Sequence, residues 1–260
     1  MQIVGYDTGV DATAERGLEL GDPAVLIAHE GTVERVELVE GTDLKYRLDG
    51  RHCAGVVDGE SHESCGREAA PYCDRHSSTW PCARCAGECD LPLPSCREDH
   101  AVYLAAFAPA TFKVGVTRDW RLKARLREQG ADRAAHLRTV TDGRIARRIE
   151  ADLAETIGDQ VRVATKIRGM GREVDEGAWG DLLADFDPIA TFALDYGLDL
   201  GRPPIHESLL TGAVLGTKGR VLVLDRDGTR YGVDLRDLVG HEVARGSSER
   251  ARQSSLGAFE

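Results

Sequence analysis

Ala101-Val-Tyr-Leu-Ala-Ala-Phe107, a short Ala-Pro-Ala-Thr turn and Phe112-Lys-Val-Gly-Val116 open the stretch on which the reading of this chain turns. Both runs are apolar and β-prone, which predicts two strands joined by a tight connection. Gly115, inside the second strand, marks a place where a ligand or another part of the chain comes close. Arg121-Leu-Lys-Ala-Arg-Leu-Arg-Glu-Gln-Gly130 then predicts a basic helix with a glycine stop. A third strand is expected near Ala134 to Val140. Thr141-Asp142-Gly143 begins a second helix, with Ala146, Ile149 and Leu153 on one face and Glu150 beside them. Strand, strand, helix, strand, helix is the predicted order of a small α+β unit.

Charge singles out the same stretch. The chain has 260 residues and a net charge of -11, with arginine far outnumbering lysine. From Phe112 to Arg148 there are eleven Arg and Lys against four Asp and Glu, a net +7, so the remainder carries -18. A basic island in an acidic body predicts a phosphate-binding face, with Arg118, Arg121, Lys123 and Arg127 as nucleic-acid contacts. High Asp and Glu with scarce Lys suit a salt-adapted, halophilic cytoplasmic protein. No apolar run approaches ~20 residues, so no membrane span is predicted. The N-terminus lacks a basic, signal-like start.

Upstream, residues 1–50 read mostly as β, with strand-like runs at Ala24–Ala28, Val33–Val39 and Leu44–Leu48. Residues 51–97 hold all seven cysteines: Cys53, Cys65, Cys73, Cys82, Cys85, Cys89 and Cys96. With His76 they supply eight ligands, enough for two tetrahedral zinc sites. Cys73-x2-His76 and Cys82-x2-Cys85 have knuckle spacing, in which a tight turn aims two ligands at one ion. A segment this poor in apolar residues needs a staple. Disulfides are the rival, but the cysteine count is odd and no export signal is evident. Sequential sites (53, 65, 73, 76 and 82, 85, 89, 96) are simplest; an interleaved pairing stays open. His52, His62 and His100 are spare donors.

Downstream, Val161–Thr165 reads as a further strand, Arg168-Gly-Met-Gly-Arg172 as a flexible link and Asp175–Phe186 as a helix. Leu209 to Val243 returns to β, with a hairpin turn at Arg226-Asp227-Gly228. The expected division is residues 1–50 β-rich, 51–97 zinc-binding, 98–165 the central unit, 166–204 helical linker, 205–245 β-rich and 246–260 a disordered tail. The two β-rich ends are expected to flank the centre together.

The central residues resemble the GIY-YIG nuclease superfamily over about fifty positions. Ala101-Val102-Tyr103 stands where that family has Gly-Ile-Tyr, and Lys113-Val114-Gly115 where it has Tyr-Ile-Gly. Arg125 matches the arginine of the first helix and Glu150 the metal-binding glutamate of the last. Ala101 and Lys113 are departures, the second touching catalysis directly. The resemblance implies a phosphodiester-cleaving site. Tyr103 would help activate water, Arg125 would hold phosphate oxygens with Lys113 as a second contact, and Glu150 would bind catalytic Mg²⁺ or Mn²⁺. The arrangement as a whole also resembles an uncharacterised family of prokaryotic proteins, a likeness that supplies no activity.

Gln253-Ser-Ser-Leu256-Gly-Ala-Phe259 resembles a PIP box, the peptide that docks on the sliding clamp (PCNA), through Gln253, Leu256 and Phe259. Glu260 stands where that motif has a second aromatic. The expected function is a zinc-stabilised, metal-dependent DNA endonuclease of repair or replication, recruited by the clamp. A non-catalytic DNA- or RNA-binding adaptor on the same fold is the alternative.

Overall fold

The computed structural model describes residues 1–13, 15–77, 85–89 and 93–246. Cys82 and the clamp-binding-like residues Gln253, Leu256 and Phe259 lie outside the described residues. The chain is α+β and mostly strand.

It opens with β1 (Gln2–Asp7), β2 (Val10–Thr13), β3 (Gly17–Leu20), β4 (Ala24–His29), β5 (Thr32–Glu37) and β6 (Asp43–Arg51). The cysteine segment adds a small hairpin, β7 (Val56–Asp58) and β8 (Ser61–Glu63), and a 3-10 turn at Pro94–Arg97. Next come β9 (His100–Phe107), β10 (Thr111–Arg118), α1 (Leu122–Gln129), β11 (Arg133–Val140) and α2 (Gly143–Ile157). Then follow α3 (Val163–Gly169), α4 (Glu176–Leu183) and β12 (Ala190–Ala193). The chain finishes with β13 (Ile205–His206), β14 (Leu210–Lys218), β15 (Val221–Arg226), β16 (Thr229–Asp234), α5 (Leu235–Leu238) and β17 (His241–Arg245).

Strands from both halves of the chain share one sheet, in the order β13-β16-β15-β14-β6-β17-β1-β4-β5-β8-β7. β17 sits between β6 and β1, so the last strand closes against the first. Its ladder is held by one apolar cluster that includes Ile3, Ile27, Leu44, Leu210, Leu222, Val233 and Val243. Asp227 and Gly228 both take positive φ, 54° and 76°, the geometry of the tight turn that joins β15 to β16.

The second sheet runs β10-β9-β11-β12, which leaves β10 at its edge. Alternation sends β9 side chains to opposite faces. Val102, Leu104 and Ala106, with Val114 and Val116 of β10, pack with Ala146 of α2. Ala101, Tyr103, Ala105 and Phe107 pack instead with Leu122 and Leu126 of α1. The sheet is therefore covered on both sides. Gly130 ends α1 in the left-handed conformation, φ 70°. The Asp142 carboxylate caps α2, accepting from the Arg144 backbone N–H at 2.8 Å.

Two expectations fail between residues 161 and 172. Val163 to Gly169 is helix, not strand, and Ile167 and Met170 are buried, so the stretch is no loose link. Val163, Ile167 and Met170 recur at helical spacing and enter one cluster with Val221 and Val223. That burial outweighs the β-branched residues' preference for strand. Gly169 allows the approach: a Cβ there would lie 1.8 Å from the Ala108 carbonyl oxygen. Among the described residues no helix is long and apolar enough to cross a membrane.

Candidate active site and metal centre

Cys53, Cys65, Cys73 and His76 come together, their ligand atoms all within 4.8 Å of one another. His76 Nδ1 lies 3.3 Å from Cys53 Sγ and 3.5 Å from Cys73 Sγ. Tetrahedral zinc with bonds of about 2.0–2.3 Å requires ligand separations of this order. Backbone N–H groups of Gly55 and Cys73 donate to Cys53 Sγ at 3.5 and 3.3 Å, which orients the sulfur and offsets thiolate charge. Three sulfurs and one imidazole with no further donor suit a closed, structural ion. The first of the sequential pairings is therefore the one assembled. His52 and His62 instead face the backbone carbonyls of Cys65 and Ala54 at 3.0 and 2.8 Å.

Cys85, Cys89 and Cys96 of the second expected site lie near one another, within electrostatic reach, and Gly87 N–H donates to Cys85 Sγ at 3.3 Å. None of the described cysteines, Cys53, Cys65, Cys73, Cys85, Cys89 and Cys96, is in a disulfide.

The four residues expected to be catalytic lie within electrostatic reach of one another near the edge strand β10. Gly115 stands opposite Tyr103 in the ladder. Its missing side chain leaves room for the phenol ring, which is 1% exposed. Gln129 Nε2 donates to Tyr103 Oη at 2.7 Å. Arg125 reaches Tyr103 from α1, and Glu150 acts on it from α2. Burial pushes the Tyr103 phenol up; Arg125 pulls it down and Glu150 adds to the rise. Lys113 shares that face of β10. Burial lowers it, Arg125 lowers it further, and Glu150 and Asp159 oppose the fall. Glu150 itself accepts from Arg147 Nη1 at 2.7 Å.

Two residues of this neighbourhood were not legible beforehand. Gln129 precedes the helix stop and carries no motif. Lys166 of α3 donates to the Gln129 carbonyl at 2.7 Å and lies 4.4 Å from the Phe107 ring centre. It thus satisfies a carbonyl in the last turn of α1. Burial, with Lys113, Arg220 and Arg125 nearby, lowers Lys166 to about 7. The same helix end is clamped by the β14–β15 turn, where Lys218 pairs with Asp132.

Beside the four residues opens a cleft of about 370 Å³ lined by Arg118, Arg121, Arg125, Arg144 and Arg147, with His100, Cys85 and Cys96 on its walls. Of the expected nucleic-acid contacts, Arg118 and Arg121 reach this cleft. Lys123 is not in its lining. Arg127 turns elsewhere, donating to the Asp195 carbonyl at 3.2 Å and stacking 5.6 Å over Tyr196. Arg144 and Arg147 belong to the basic island, and their helical spacing beside Glu150 is the sequence signal that marks them.

Fold and donors thus define an α+β chain with a Cys3His cluster compatible with structural zinc and an arginine-lined cleft. It belongs to the family described as Protein of unknown function (DUF2797), whose family model matches residues 43–193. That span covers β6, the cysteine segment, the central unit and α4 to β12. No curated protein and no solved structure matches the chain.

Proposed function

We propose that the central unit is a metal-dependent DNA endonuclease of the GIY-YIG type, acting in cytoplasmic repair or replication and recruited to the sliding clamp by its C-terminal peptide. The convergence of Tyr103, Lys113, Arg125 and Glu150 on one sheet edge, beside an arginine cleft, carries this reading. Arg125 offers a planar fork for two phosphate oxygens. The Tyr103 hydroxyl, kept protonated by burial and anchored by Gln129, orients the attacking water. Lys113, whose charged form burial disfavours, takes the proton that water gives up, and the phosphorus bond to the leaving oxygen breaks as the new one forms. Here the departure from tyrosine supplies a base instead of removing the chemistry. Glu150 offers a hard carboxylate for Mg²⁺ or Mn²⁺, an ion that neutralises charge on the phosphate when bound.

The test is cutting of branched, flapped and nicked DNA in Mg²⁺ and Mn²⁺ by zinc-loaded protein, wild type against Glu150→Ala. Metal-dependent cutting lost in the variant supports the proposal; intact substrates throughout the panel would end it. Retention on immobilised clamp, with and without the last residues from Gln253 on, tests recruitment.

A second reading has its own support. Glu150 is already engaged by Arg147, and Lys113 replaces the family tyrosine. A non-catalytic DNA- or RNA-binding adaptor would bind with strong salt dependence and turn nothing over.

A further inference from the structure

The cleft next to the four residues has a construction of its own. Among the described residues five arginines line it, and the carboxylates they pair with, those of Glu98, Glu128, Asp142 and Glu150, are not in that lining. Glu128 serves both Arg121 and Arg125. Arg121 Nε is buried without a hydrogen-bond partner, which costs the fold. Arginines in a lining that holds no described carboxylate suit an incoming anion.

One wall is the Cys85–Cys89 loop, and it is seated on α2 by close backbone contact. Gly87 has φ +88°, and a Cβ there would lie 2.3 Å from the Arg144 carbonyl oxygen and 2.8 Å from Arg148 Cγ. On the neighbouring side, a Cβ on Gly143 would lie 2.9 Å from the His100 ring. Two glycines therefore bring the cysteine loop and β9 onto the first turn of α2, which carries Arg144 and Arg147 into the cleft. Arg144 also feels Cys89 and Cys96.

We infer that this cleft seats the phosphates of a single nucleic-acid strand beside the scissile bond, and that the docked cysteine loop completes its wall; this rests on the nucleic-acid reading above. A cleft of about 370 Å³, at the small end of sites that enclose one small molecule, ~300–1,000 Å³, favours a narrow single strand over a duplex. The cysteine segment is then part of the substrate site as well as a staple.

The experiment measures anisotropy of a short fluorescein-labelled oligothymidine and of a blunt hairpin duplex, in rising potassium chloride without added divalent ions. Zinc-loaded wild type is compared with Arg144→Gln and Gly87→Ala. Wild type is expected to prefer the single strand. Arg144→Gln should weaken it about ten-fold and lower the salt slope by about 0.7, one phosphate contact on a single strand. Gly87→Ala should weaken binding while the zinc of the Cys53, Cys65, Cys73 and His76 cluster stays, because the loop loses its seat and that cluster loses no ligand. Equal affinity for the duplex, or an Arg144→Gln protein with unchanged affinity and slope, overturns the inference. If Gly87→Ala does not fold, Arg144→Gln alone decides. Cutting is not read, so failure of the nuclease proposal leaves this result independent.

Discussion

Gly115 lies directly across the ladder from Tyr103, and a Cβ at 115 would come within 2.5 Å of both Cζ and Oη of that ring. The glycine is thus the space in which the phenol sits. Gly115→Ala must push out a fully buried aromatic side chain. We expect a loss of about 1–3 kcal/mol, or about 2–4 °C in Tm for each kcal/mol in a chain of this size. Calorimetry checks it; an unshifted Tm would show that the ring has another place to go.

Arg125 and Arg127 sit two residues apart on α1 and should behave oppositely. Arg125 reaches Tyr103, whereas Arg127 is committed to Asp195 and Tyr196. Under the proposed chemistry Arg125→Ala and Glu150→Ala cut at least ~100-fold more slowly, and Arg127→Ala cuts normally. Single-turnover assays separate them. Equal losses in both arginine variants would mean the helix matters only as a basic surface.

The Cys3His centre predicts tightly held zinc. Cys73→Ser should lose one ion by metal analysis and destabilise the protein by about 4 kcal/mol or more, as loss of a structural metal does. A wild-type protein purified without stoichiometric zinc, yet equally stable after chelation, would contradict the assignment.

Lys166 gives a pH signature. Its folded value, about 7, lies below the unfolded value of ~10.4. Between these limits the unfolded chain holds the proton and the folded one does not, so stability rises with pH across the window. Below pH 7 the cost of the buried charge is fully present. Lys166→Met removes this slope, although it also loses the contact to Gln129. The difference in stability between wild type and variant, followed by urea unfolding from pH 6 to 10, should therefore move in favour of wild type. A constant difference would show an ordinary, solvated lysine.

Much of the central unit was legible because its signals are local. Alternation in β9, the glycine stop at Gly130, the Asp142 cap and the stripe Ala146, Ile149, Leu153 each act within a few residues. The Val163–Gly169 helix was missed for the opposite reason. Its β-branched residues favour strand locally, and only the partner surface of Val221 and Val223, far along the chain, rewards a helix.

By itself the chain's order of residues determined the strands and helices of the centre and the set of cysteine and histidine donors, because turn chemistry, periodicity and ligand spacing are written into neighbouring positions. Folding in three dimensions decided which donors meet as Cys53, Cys65, Cys73 and His76. It decided that Arg144 faces the cleft while Arg127 faces Tyr196. It also decided that Gln129 and Lys166 stand behind Tyr103. Those relationships depend on which surfaces pack against one another, a choice made by burial across the whole molecule and not by any residue's immediate neighbours.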